Sequence, residues 1–181
     1  MKTLEDQMSF YAAYHQDPRN KATHFIGVPT IAFSLMIPLG WLRVDAGGFP
    51  VSAALVVTLA LLAYYLLLDV PLGLAMCAVF GLMLWAAEPL AQLPLGASAA
   101  WFAALFVGGW ALQLWGHVYE GRKPALVDNL FQVFVAPIFL AAEVFFALGY
   151  KPGLHAGVQR RALAMRAEAG IVAPGSTLTS A

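Results

Sequence analysis

Four long apolar runs limit what this 181-residue chain can fold into more than any other feature. They cover positions 25–42, 51–68, 70–87 and 95–115, and none contains Asp, Glu, Lys or Arg. The shorter runs would form helices about 27 Å long, close to the thickness of the hydrocarbon core of a membrane. With 61% hydrophobic and 11% charged residues, the chain is too apolar for a soluble domain. We therefore predict an all-α integral membrane protein with four transmembrane helices.

Turn-forming residues separate these runs. Asp69-Val70-Pro71 divides the second run from the third, because a charge and a proline favour a tight turn over one unbroken helix. Gly47-Gly48 and Glu88-Pro89 predict two further short loops.

The N-terminal segment 3–15 predicts an amphipathic helix. Its stripe has spacings of four, three and four residues and consists of Leu4, Met8, Tyr11 and His15. The Asp17-Pro18 pair then breaks the helix, because the residue before a proline is pushed out of the α region. We expect a turn over positions 17–20.

A fifth apolar run, 130–149, is interrupted by Pro137 and contains Glu143. Basic residues flank the N-terminus, the 116–129 loop and the end of the chain, and the positive-inside rule places such segments in the cytoplasm. We therefore predict a broken, re-entrant or interfacial last helix. Residues 1–165 would form a single membrane-embedded catalytic domain, followed by a flexible tail over 166–181.

Charge and cysteine content exclude some functions. The ten Lys and Arg residues balance the ten Asp and Glu residues, so we expect no nucleic-acid partner. Cys77 is the only cysteine, so no intrachain disulfide can form. A high alanine and leucine content favours a bacterial inner membrane, with the endoplasmic reticulum as the counterpart in a eukaryote. The oligomeric state stays open.

Three of the four histidines lie at the edges of the apolar runs. His24 stands at the start of the first predicted span and His117 at the end of the fourth, and an even number of crossings puts both at the same membrane face. His15 would join them if the break at Pro18 folds the first helix back along that face. Ionisable groups at such positions are candidates for function. We therefore expect the three histidines to converge.

Helical spacing adds a glutamate to this set. Gln113, His117 and Glu120 are four and three residues apart, so their side chains share one helix face. Imidazole nitrogen combined with carboxylate oxygen suits Fe(II), Mn(II) or Zn(II). The candidate metal ligands and catalytic residues are therefore His15, His24, His117 and Glu120. Which of the four would bind the metal directly stays open, and so does the alternative that the histidines are interfacial anchors.

Polar residues near the four candidate ligands give weaker evidence of a function. Asn20, Gln113 and Asn129 could orient the histidines or could simply cap helices. Glu143 is costly in an apolar run unless it faces protein or water, and we assign it no role. His155 is interpreted as a surface residue.

Four further residues are candidates for substrate binding. Arg122 and Lys123 could bind the acid group of a substrate, although a positive-inside loop would look the same. Tyr11 and Tyr14 could line a pocket or could belong to an aromatic belt at the membrane interface.

Two segments carry a family resemblance: YHQDPRNKATHFIGVP at 14–29 and QLWGHVYEGRKPA at 113–125. Together they resemble the membrane 2-hydroxy fatty acid dioxygenases. The resemblance implies an Fe(II) enzyme in a lipid membrane that uses O2 to shorten 2-hydroxy fatty acids by one carbon, without 2-oxoglutarate. It also implies that the motif histidines, here His15, His24 and His117, hold the iron. The assignment of Glu120 as a metal ligand is based on helix geometry alone.

Three other functions remain as alternatives. A haem-binding electron carrier would use histidines as axial ligands and would show a Soret band. A two-iron membrane hydroxylase would need more than the four histidines of this chain. A non-enzymatic scaffold or metal carrier would leave lipid turnover unchanged when His117 is replaced by alanine.

Overall fold

The computed structural model describes residues 3–170, and these residues are mainly helical. The elements in chain order are α1 Leu4–Ala13, α2 Pro18–Trp41, β1 Arg43–Asp45, β2 Pro50–Ser52, α3 Ala53–Leu68, α4 Val70–Ala91, α5 Leu95–Glu120, α6 Ala125–Asp128, α7 Gln132–Ala147 and α8 Pro152–Glu168. The predicted all-α class is therefore confirmed in outline, with one short antiparallel hairpin, β1–β2, added to it.

Three helices of the described chain are long and apolar enough to cross a membrane: α2, α4 and α5. Helix α3 is equally apolar but has only 16 residues, as does α7. The chain thus has three candidate spans, and the fourth stays a prediction.

The chain divides into two compact units, and the division falls within α2 and within α5. Unit 1 comprises Met1–Ala22 and Trp115–Ala181, and unit 2 comprises Thr23–Leu114. The single catalytic domain predicted for residues 1–165 stays a prediction.

Helix α1 is the centre of unit 1, where it packs against α7 and α8. Thr3 and Asp6 form a capping box that starts the helix. The Tyr11 ring lies 4.7 Å from that of Phe139 on α7, and Gly157 on α8 approaches the Glu5 carboxylate so closely that a Cβ there would lie 2.6 Å from it. A helix is therefore confirmed in the predicted segment, although it ends at Ala13, so that His15 lies just beyond it, and it is covered by α7 and α8.

Unit 2 contains a tight hairpin of α3 and α4. Asp69 caps α4 by accepting a hydrogen bond from the Leu72 amide at 3.0 Å, and Pro71 lies in the first turn of the helix. A Cβ on Gly73 would lie 2.8 Å from the backbone of Leu66, so the end of α3 touches the start of α4. The turn predicted at Asp69-Val70-Pro71 is confirmed. Gly47-Gly48 also forms a turn, between β1 and β2, where both glycines have positive φ.

Three predicted helix boundaries are wrong. Positions 18–20 belong to α2, because proline suits the first position of a helix and the Asp17 carboxylate accepts from the Arg19 amide at 2.8 Å. Glu88-Pro89 lies inside α4, where the missing amide is close to the end of the helix. Helix α7 runs unbroken through Pro137, so no hairpin forms there; neighbours such as Ile138 and Phe139 are buried and offset the lost backbone bond.

Helix α8 extends to Glu168, so positions 166–168 of the predicted flexible tail are helical. The side chain of Arg166 is buried. The part of the predicted tail from 171 onwards lies outside the described residues.

Candidate metal centre

The break between α1 and α2 determines the position of His15. Helix α1 ends at Ala13, and the His15 ring folds back to stack on the Tyr11 ring at 3.9 Å. His15 Nδ1 lies 2.7 Å from the Tyr11 carbonyl oxygen. Because a carbonyl only accepts, Nδ1 must carry the hydrogen, and Nε2 must carry the lone pair that a metal ion requires. Burial raises the pKa of the Tyr11 hydroxyl, so this stacking partner is uncharged.

His117 lies near the end of α5, and its ring meets the edge of the His15 ring with centroids 5.0 Å apart. His24 lies on α2, one turn after Asn20, and its Nδ1 is 3.4 Å from the Thr23 hydroxyl. The potential ligand atoms of His15, His24 and His117 all lie within 4.8 Å of one another. The three histidines therefore meet, as the parity of the crossings and the break at Pro18 predict.

All three histidines are buried, with exposed fractions of 2% for His15, 3% for His24 and 6% for His117. Interfacial anchors would present their rings to water or to lipid headgroups, so this burial disfavours the alternative interpretation. Three buried imidazoles without a carboxylate among them form a neutral nitrogen site, which suits a divalent transition metal.

Glu120 is not part of this histidine group, although it lies one turn after His117 on the same helix. Its Oε2 accepts hydrogen bonds from the amides of Gln16 at 2.9 Å and Asp17 at 2.8 Å, and from Asn20 Nδ2 at 3.2 Å. Both amides directly follow His15 in the chain. Glu120 therefore holds the segment that carries His15, and Asn20 assists it.

Arg166 is a site residue that sequence reasoning missed. Its Nη1 donates to Glu120 Oε1 at 2.8 Å, and the two side chains are only 3% and 0% exposed. The same nitrogen donates to the Ala13 carbonyl at 3.1 Å, at the end of α1. A signal was present in the sequence, because Val158, Ala162 and Arg166 follow one another at intervals of four and form the buried stripe of α8.

Three of the four predicted substrate-binding residues, Tyr14, Arg122 and Lys123, form a separate polar cluster, whereas Tyr11 lies against His15. Arg122 stacks over the Tyr14 ring at 4.1 Å and donates to the Ala13 carbonyl at 2.8 Å. The Tyr14 hydroxyl donates to Asp128 at 2.6 Å, and Lys123 forms an ion pair with the same carboxylate at 2.6 Å. The Lys123 ammonium, followed by Tyr14, holds the pKa of Asp128 below its ordinary value. Lys123 is thus already neutralised, by a carboxylate that sequence reasoning did not single out.

The remaining polar candidates have different surroundings. Asn129 accepts from the Phe131 amide at 3.1 Å in a local turn, so the structure gives it a capping role. Glu143 forms an ion pair with Lys21 at 2.9 Å, which explains how a charge is tolerated in an apolar run. His155 stacks on Phe146 and takes no part in the histidine group.

Comparison with known proteins places this arrangement in a family. The Mpo1-like family, described as "2-hydroxy-palmitic acid dioxygenase Mpo1-like", matches residues 1–148. The chain belongs to this Mpo1-like family. It is also 37% identical, over 158 residues, to the 2-hydroxy-palmitic acid dioxygenase MPO1 of Saccharomyces cerevisiae, a match that covers 86% of this chain and 87% of the yeast protein. No solved structure matches the chain. The family predicted from the two motifs is therefore confirmed.

The Mpo1-like match covers some residues of the candidate metal centre and not others. His15, His24, His117 and Glu120 all lie within residues 1–148, whereas α8 and its Arg166 lie beyond them. The buried partner of Glu120 is thus supplied by a helix outside the matched region.

Proposed function

We propose that this chain is a membrane-embedded, Fe(II)-dependent dioxygenase that shortens 2-hydroxy fatty acids by one carbon at the cytoplasmic face. The observation that carries the proposal is the group of three buried histidines whose ligand atoms lie within 4.8 Å of one another, in a chain of the Mpo1-like family. Similarity to the yeast 2-hydroxy-palmitic acid dioxygenase supports the substrate class.

His15, His24 and His117 would hold the iron. Three protein ligands leave open positions, which a 2-hydroxy acid can use through its carboxylate and its hydroxyl. When bound, ferrous iron supplies the reactivity towards O2 that organic side chains lack. The overall conversion of RCH(OH)COOH and O2 to RCOOH, CO2 and H2O balances with one O2, so no second electron donor is required.

Other residues of the chain would prepare the histidines for this role. The Tyr11 carbonyl fixes the His15 tautomer, and the Tyr11 ring covers one side of the imidazole. Glu120 positions His15 through the Gln16 and Asp17 amides, and we assign it this role rather than metal binding because both of its oxygens already accept hydrogen bonds. Arg122, which stacks on Tyr14, would attract the substrate carboxylate to the region that follows α1.

We further propose that α3 is the fourth span. Only Asp69, which caps α4, separates α3 from α4. If α4 spans the membrane, α3 must therefore bring the chain to the membrane face at which α4 begins. Sixteen residues reach about 24 Å, which a locally thinned bilayer accommodates. The acyl tail of the substrate would lie between these apolar helices.

The deciding experiment combines metal analysis with O2 uptake. The full-length protein is purified anaerobically, loaded with Fe(II) and assayed with and without 2-hydroxypalmitate. We expect bound iron and substrate-dependent O2 consumption, both lost in His117→Ala. His155→Ala is the matched control, because it removes the fourth histidine outside the group, and it should retain both. No substrate-dependent uptake by iron-loaded protein would refute the dioxygenase, and a Soret band would indicate haem instead.

A further inference from the structure

Among residues 3–170, the side-chain amide of Gln113 has a buried donor that makes no hydrogen bond. Its side chain is on α5 and only 6% exposed. No described residue accepts a hydrogen bond from its Nε2. A buried donor left in this state costs roughly 1–3 kcal/mol, so native proteins usually supply it with a partner. Something that binds to the protein is the natural source of that partner.

A glycine makes room for this amide. A Cβ on Gly27 of α2 would lie only 3.0 Å from Gln113 Nε2 and 3.0 Å from the Gly109 carbonyl oxygen. A Cβ on Gly109 would in turn lie 2.7 Å from Ile31. Helices α2 and α5 therefore approach closely here, and the Gln113 amide lies in space that any larger residue at position 27 would fill.

Gln113 and the glycine that makes room for it each lie one helical turn from a histidine of the group. Gln113 precedes His117 by four residues on α5, and Gly27 follows His24 by three residues on α2. Side chains on a helix lean towards its N-terminus, which is the direction from His117 to Gln113. The unpartnered donor is thus one helical turn from the candidate metal ligands.

We propose that Gln113 donates a hydrogen bond from Nε2 to the carboxylate of the bound 2-hydroxy fatty acid, an inference that rests on the proposed function. A chelating 2-hydroxy acid uses one carboxylate oxygen on the metal, and the other oxygen keeps its capacity to accept. A neutral amide satisfies that oxygen inside an apolar protein without adding another buried charge. Gln113 thereby contacts the substrate directly and sets its orientation, rather than orienting a histidine.

The test is anaerobic binding of 2-hydroxypalmitate to the Fe(II)-loaded, full-length protein. Gln113→Met keeps the approximate shape and removes the donor. We expect the dissociation constant to rise roughly ten- to hundredfold, the range for a hydrogen bond to a charged group, with the iron content unchanged. Ser98→Ala is the matched control, since it removes a part-buried hydrogen bond that Ser98 accepts from Trp41 at the other end of the same helix, and it should leave ligand binding unchanged.

The outcomes separate this inference from the proposed function. Failure of the wild-type protein to bind 2-hydroxypalmitate would refute the proposed function. Normal wild-type binding with equally tight binding by Gln113→Met would overturn the role of Gln113 alone, and so would a variant that loses its iron. If Gln113→Met does not fold, Gln113→Asn decides by the same measurement, because it keeps the amide but withdraws it by one methylene and should also bind more weakly.

Discussion

The two compact units of this chain are stabilised by different chemistry. Unit 1 is rich in ion pairs, which join Arg19 to Asp17, Lys21 to Glu143, Lys123 to Asp128, Arg161 to Glu5 and Arg166 to Glu120. Unit 2 also has an ion pair, between Arg43 and Glu88, but its helices touch through glycine: Gly73 approaches the backbone of Leu66, and Gly27 approaches the Gly109 carbonyl.

This difference follows from the interactions that are favourable in each environment. Apolar side chains gain little from contact with each other when the alternative is lipid, so helices in a membrane associate by close backbone approach at small residues. A buried charge is tolerated where an opposite charge lies beside it, as Arg166 lies beside Glu120. We therefore expect unit 1 to be destabilised by the removal of a charge, and unit 2 to be destabilised by a larger side chain at a helix contact.

The largest effect is expected from Arg166→Met. It leaves the Glu120 carboxylate buried without its cation, and breaking such a pair from one side costs about 3–5 kcal/mol. The free energy of unfolding, measured by denaturant titration in detergent, should fall by that amount. The double variant Glu120→Gln, Arg166→Met should recover part of the loss because no charge remains buried. A double variant no more stable than the single one would show that the charge is not the cause.

The sequence predicted which segments are helical better than where the helices end. It also predicted the convergence of the histidines better than the residues that hold them in position. The apolar runs identify α3, α4 and α5 because a segment in lipid must satisfy its own backbone hydrogen bonds. The convergence of the histidines was predicted by counting crossings and by a break between the first two helices, which lies just before Pro18. The role of Arg166 could not be derived in this way, because it depends on a partner 46 residues away on another helix. Pro137 was misinterpreted because tertiary burial offsets its intrinsic cost.

A smaller effect is expected in unit 2 from Gly73→Leu. A Cβ at this position would lie 2.8 Å from the backbone of Leu66, so the start of α4 must move away from the end of α3. Overpacking of this kind typically costs about 1–3 kcal/mol. Gly81→Leu on the same helix is the matched control, because a Cβ there meets nothing within 4 Å. Equal stability of the two variants by denaturant titration would contradict close packing of the hairpin.

The smallest effect is expected from Arg161→Met, on the same helix as Arg166. Arg161 forms ion pairs with Glu5, at 3.0 Å, and with Asp6, but its side chain is 48% exposed. Exposed pairs contribute about 0–1 kcal/mol and weaken with added salt, since water and ions already stabilise the separated charges. Arg161→Met should therefore lose less than about 1 kcal/mol of unfolding free energy at low salt, and less still at high salt. A loss as large as that of Arg166→Met would mean that the number of charges, rather than their burial, determines the stability of unit 1.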